Sequence, residues 1–62
     1  MVYEVLEDRL MAHCWRVEWT DPDNEGACFA VSFAGAGAKG MAIEYAEWRA
    51  STNPKALVRM AP

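Results

Sequence analysis

Between Met11 and Thr20 the chain alternates. Met11, His13, Trp15, Val17 and Trp19 fall on one side, and Ala12, Cys14, Arg16, Glu18 and Thr20 on the other. A period of two, carried by aromatic and β-branched residues, predicts a half-buried strand. The next six residues, Asp21-Pro22-Asp23-Asn24-Glu25-Gly26, are turn chemistry: Pro presets its φ, while Asn and Gly tolerate positive φ. Alternation resumes over Ala27–Phe33, with Ala27, Phe29, Val31 and Phe33 on one side. The two strands are expected to form a hairpin. Pairing Thr20 with Gly26 places Trp19 opposite Ala27, Val17 opposite Phe29, Trp15 opposite Val31 and His13 opposite Phe33, all on one face. A slip of two residues would keep that face, and a slip of one would destroy it.

Val2–Leu6 admits two readings. As an outer strand turning at Glu7-Asp8, it adds Tyr3 and Val5 to the aromatic face. As a short helix, it would use the spacing of Val2, Val5, Leu6 and Leu10. The strand is the preferred reading, because so short a helix without a cap is poorly supported. Over 38–50 the period changes: Ala38, Met41, Ala42, Tyr45 and Trp48 recur at three- and four-residue spacing and predict one amphipathic helix. Asn53-Pro54 ends it. The apolar tail Ala56–Met60 is expected either to pack, against Ile43 for example, or to add a short edge strand. The expected fold is α+β: one domain over 1–62, a small antiparallel sheet of two or three strands with the helix packed on one face, in the order β-β-β-α.

That layout leaves the other face of the sheet unaccounted for. Val2, Leu6, Leu10, Ala12, Cys14, Cys28 and Ala30 are expected there, bordered by Glu4, Arg16, Glu18 and Ser32. Either this apolar patch is a contact surface, or the tail covers it with Leu57, Val58 and Met60.

A chain of 62 residues is marginal unless its core is rich, and three Trp, two Tyr, two Phe and four Met make it so. Its longest uncharged run, Gly26 to Ala38, is Gly- and Ala-rich and too polar to span a bilayer. Glu4, Glu7, Asp8 and Arg9 interrupt the N-terminus where a secretory signal would be apolar, so the cytoplasm is the expected compartment.

Few residues promise chemistry. Gly35-Ala36-Gly37-Ala38-Lys39-Gly40 fits the G-x-G-x-x-G spacing, but a dinucleotide site also needs a parallel β-α-β unit and an acid about 20 residues on. Only the tail lies there, so a close strand-to-helix connection is expected and no cofactor. Cys14 and Cys28 fall about four residues apart along the ladder, roughly 13 Å at strand rise, too far for a disulfide. His13 and Cys14 point to opposite faces as strand neighbours, which argues against a catalytic pair. One His and two Cys do not close a zinc site. A non-enzymatic binding protein is the expectation.

Charge changes the picture more. The net charge is -3, but residues 1–25 carry seven acids against Arg9 and Arg16, or -5. Residues 26–62 carry Glu44 and Glu47 against Lys39, Arg49, Lys55 and Arg59, or +2. The candidate partner-binding residues are Glu7, Asp8, Glu18, Asp21, Asp23 and Glu25, and the partner they fit is a protein with a basic surface.

Two resemblances bear on this. The rhythm Trp15-Arg16-Val17, Asp21-Pro22-Asp23, Phe33 and Glu44-Tyr45-Ala46 resembles the arm-type DNA-binding domains of phage-type integrases, which implies the same strand–strand–strand–helix order. Those domains read DNA from a basic sheet face, whereas here Glu4 and Glu18 offset Arg16, so direct nucleic-acid binding is not expected. In size, acidity and build the chain resembles the anti-CRISPR proteins of bacteriophages. That resemblance implies an inhibitor whose carboxylates occupy a groove of a CRISPR surveillance complex that otherwise holds DNA. The alternative is a host adaptor or dimerisation module using the apolar outer sheet face. The chain is expected as a monomer or weak homodimer with no membrane contact.

Overall fold

A computed structural model describes all residues, Met1–Pro62. Strand β1 is Val2–Glu7, β2 is Cys14–Asp21 and β3 is Ala27–Ala34; helix α1 is Ala38–Ser51 and strand β4 is Leu57–Met60. The sheet order is β3-β2-β1-β4, with β1–β2 and β2–β3 antiparallel and β1–β4 parallel. The class is α+β with one helix on one face. The sheet is mixed and four-stranded, rather than antiparallel with two or three strands.

Val2–Leu6 belongs to a strand, the preferred of its two readings. Tyr3 and Val5 face α1 and are buried. The tail neither crosses nor covers the outer sheet face. It takes the edge-strand course beside β1, tied by Leu57 N–H to Met1 O at 3.0 Å and by Ala61 N–H to Val5 O at 2.8 Å. No helix is long and apolar enough to cross a membrane.

The β2–β3 hairpin is shifted by two residues from the expected register. Trp19 faces Phe29, Val17 faces Val31, Trp15 faces Phe33 and Cys14 faces Ala34. The aromatic face survives, because a two-residue slip preserves side-chain direction. The turn sets the shift. Asp21 accepts Asp23 N–H at 2.9 Å through its side chain and opens a 3-10 turn over Pro22–Asn24; Glu25 and Gly26 then take φ of 55° and 74°. The loop closes with Asp21 opposite Ala27, so Thr20 meets Cys28 rather than Gly26.

His13 does not join the aromatic face. It precedes β2, is exposed and has φ of 59°. Asp8 causes this: its Oδ1 accepts Leu10 N–H at 2.9 Å and Met11 N–H at 3.2 Å, and its own N–H donates to Cys14 O at 2.9 Å. A side chain that holds the backbone locally competes with the sheet ladder. Leu10, Met11 and Ala12 are therefore an exposed loop: Leu10 and Ala12 leave the outer face of the sheet, and Met11 leaves the aromatic face.

The helix is rotated from its expected face. Ala38, Ala42 and Ala46 are buried, while Met41 and Trp48 lie on the flank with 43% and 62% exposure. The sheet supplies most of the large groups here: Tyr3, Val5, Val17 and Trp19 form the core with Ala42 and Ala46, and Trp15, Val31 and Phe33, with Tyr45 of α1, pack against it. Small side chains on α1 complement that bulk and let the helix sit close. Phe29 remains 40% exposed, because β3 is an edge strand.

Candidate functional site

The six acidic residues divide into three that the fold uses and three that it leaves free. Asp8 holds its loop with Oδ1 and lies 3.4 Å from Arg16 Nη1 through Oδ2. Glu18 Oε2 accepts Arg16 Nε–H at 2.8 Å. Asp21 caps the 3-10 turn. Glu7, Asp23 and Glu25 are exposed, and their carboxylates are outside every ion pair and hydrogen bond. Glu7 pairs with Trp15 near one end of β2, and Asp21 stands at the other. Six residues separate Trp15 from Asp21, or roughly 20 Å at strand rise. The structure does not bring the six acids together into one patch.

The outer face of the sheet is open but is not an apolar patch. Its central row runs Ala30, Glu18, Glu4, Arg59 across the four strands. Glu4 and Glu18 are direct cross-strand partners, an arrangement that costs stability when both are charged. Each is drawn to its own arginine. Arg16 takes Glu18, and Arg59 donates to Glu4 Oε2 from both Nε, at 3.0 Å, and Nη2. With Asp8, this network holds three acids and two bases. Val2, Thr20, Cys28 and Leu57 lie beyond the row.

Two further cations lie against aromatic rings, while Arg9 and Lys55 are exposed and outside every ion pair. The Arg49 guanidinium lies 5.0 Å from the centre of the Trp19 ring, inside a cluster where Trp19 also meets Tyr3, Phe29 and Tyr45. Its Nε is buried without a hydrogen-bond partner, and the ring contact offsets part of that cost. Lys39 Nζ lies 5.4 Å over the Trp15 ring. The exposed acids Glu44 and Glu47 have no such partners.

The sulfur chemistry is spread out. Cys14 pairs with Ala34 and Cys28 with Thr20, so the two lie six residues apart along β2 instead of four, and both thiols are free. The Gly35–Gly40 segment is the connection from β3 into α1. Gly35 takes φ of 104°, and Gly37 caps the helix without a side-chain bond.

Sequence reasoning set Arg16 against Glu4 and Glu18 but missed Arg59. Arg16 and Glu18 are two apart on a strand and must share a face, so their pair was readable. The Arg59–Glu4 pair depends on the parallel β1–β4 contact, which no local pattern announces. No family model, no curated protein and no solved structure matches this chain.

Proposed function

We propose that this chain is a small non-enzymatic binding protein of the inhibitor type, whose acidic turns engage a protein with a basic surface. The partner class that fits is a nucleic-acid-handling complex such as a CRISPR surveillance complex, blocked where it would hold DNA. One observation carries the reading: five carboxylates face solvent unpaired, against only two cations, Arg9 and Lys55, that lie outside every ion pair and ring contact. Arg16 and Arg59 are bound to carboxylates, while Arg49 and Lys39 lie against tryptophans. Glu7, Asp23 and Glu25, with Glu44 and Glu47 on the outside of α1, face solvent unpaired. The unengaged groups therefore carry the whole net charge of -3.

Loops accept charge without disturbing the core, so Asp23 and Glu25 are free for recognition. Contacts of this kind weaken with salt, over a Debye length of roughly 8 Å at physiological ionic strength. The test is DNA binding by a purified type I surveillance complex, with and without the chain, at two salt concentrations. Asp23→Asn with Glu25→Gln, and Glu7→Gln separately, should keep the fold and relieve inhibition. If the wild-type chain leaves DNA binding unchanged, this partner is wrong. If both charge variants inhibit like wild type, the acidic turns are not the contact.

A further inference from the structure

The two edges of the sheet are unequal. β4 is four residues long and carries Arg59. β3 is eight residues long, Ala-Cys-Phe-Ala-Val-Ser-Phe-Ala, with no charge and no proline. Natural sheets guard their edges with charge, proline, short strands or a covering element. β4 has two of these features and β3 none. We infer that the β3 edge is a self-association surface, where two copies of this chain pair β3 to β3 antiparallel and extend one sheet through both.

The backbone determines which atoms meet. Gly35 N–H donates to His13 O, and the β2–β3 ladder alternates from that bond. The odd-numbered residues of β3 therefore bond to β2. Cys28, Ala30, Ser32 and Ala34 turn their N–H and C=O groups to the open edge. The register that engages all four from each copy pairs Cys28 with Ala34 and Ala30 with Ser32 of the other copy. The two-fold axis then passes midway between Val31 of one copy and Val31 of the other. This register also sets Phe29 opposite Phe33 of the other copy as a non-hydrogen-bonded pair, where cross-strand side chains stand closest.

Charge favours a second copy as the occupant. A chain of net charge -3 repels itself wherever acids meet, and along β3 none do. The same register carries the Asp23–Glu25 turn of one copy toward the Gly37–Lys39 end of the other. There Gly37 caps α1 without a side chain and no acid occupies the first helical turn. Acid beside a helix N-terminus and a lysine is attractive. The two helices lie on one side of the extended sheet. The flank of α1 nearest β3, with Met41, Tyr45 and exposed Trp48, points toward the junction. A strand edge alone is small beside the roughly 1,200–2,000 Å² of a stable interface, so the dimer is weak and concentration-dependent.

The experiment is sedimentation over a concentration series, paired with amide hydrogen exchange at low and high concentration. The sedimenting mass should rise toward twice that of the monomer. Amides of Cys28, Ala30, Ser32 and Ala34 should gain protection with concentration, while those of Phe29, Val31 and Phe33 are protected throughout. Ala30→Pro removes an outward donor and no β2–β3 bond. By symmetry two interface bonds are lost, so the dissociation constant should rise roughly 30-fold or more. Were that variant to unfold, the wild-type exchange pattern still decides. A chain that stays monomeric up to about 1 mM, or a dimer whose four outward amides exchange freely, overturns the proposal. Neither result depends on the basic partner.

Discussion

Replacing Ala42 with Leu tests whether α1 presents its alanine row to the sheet. Ala42 has no exposed surface and lies in the core with Val5 and Val17, which are also fully buried. Leu adds three carbons. Were there room, burying them would stabilise by about 0.8 kcal/mol each, or about 2.4 kcal/mol. With a closely seated helix there is none. The added volume then pushes α1 off the sheet or forces poor rotamers, at a cost of about 1–3 kcal/mol. A domain of this size has roughly 3–9 kcal/mol in total, and each kcal/mol moves Tm by about 4–8 °C. Ala42→Leu should therefore lower Tm by roughly 5–20 °C in calorimetry. Its counterpart is Met41→Ala. The 43% exposed Met41 side chain loses a partial contact and gains helix propensity, so Tm should move little. The signs separate the two helix faces. A stabilised Ala42→Leu protein, or a Met41→Ala protein that melts lower than Ala42→Leu, would show that Met41 and not the alanine row meets the sheet.

Two further substitutions test local backbone and side-chain arguments. Gly35→Ala should cost about 1–3 kcal/mol, since φ of 104° is poorly open to a residue with a Cβ; Gly40→Ala, in the helix with nothing within 4 Å of an added Cβ, should stabilise by up to about 1 kcal/mol. Chemical denaturation resolves both, and equal effects of one sign would refute the distinction. Asp8→Ala should cost about 1–2 kcal/mol by releasing two backbone N–H groups and Arg16. Asp8→Asn should recover part of that loss, and an Asn variant as unstable as Ala would place the effect in the ion pair instead.

The hairpin, the helix and the shared aromatic face were legible because they rest on local periodicity. Trp15, Val17 and Trp19 must share a side on any strand. What was lost depends on contacts that periodicity does not encode. A period of two leaves register open in steps of two, and the bond from Asp21 to Asp23 N–H settled it. The same alternation ran backward into Met11 and His13, where Asp8 captures the backbone. On the helix, Met41 and Trp48 have the right spacing for a core stripe, yet apolar character alone does not show that the opposing rings leave space only for alanine. β4 has four exposed residues and no amphipathic signature. Of the candidate site, the turn acids Asp23 and Glu25 were legible as exposed. The structural use of Asp8 and Asp21 was not, because bonds from backbone N–H groups to their carboxylates decide it.

The ion pairs on the outer sheet face also bear on the integrase-arm resemblance. A sheet that reads DNA needs cations available to phosphates. Here the two arginines of that face stand beside a like-charged pair, Glu4 opposite Glu18. Drawing Arg16 or Arg59 to a phosphate would remove the charge that offsets one of these carboxylates. Glu4 and Glu18 would then face each other across one strand spacing, about 4.8 Å, with the approaching phosphate adding a further negative charge. Each new contact would thus be bought by losing an existing pair and restoring a repulsion. A basic protein surface meets the opposite situation, since Lys or Arg groups approaching Glu7, Asp23 or Glu25 displace no partner. Surface ion pairs are individually weak, about 0–1 kcal/mol, so strength here must come from several contacts at once. The separation of roughly 20 Å between the two acidic ends of β2 then matters. A partner that binds firmly must either span both ends or engage one end through the whole Asp21–Glu25 turn.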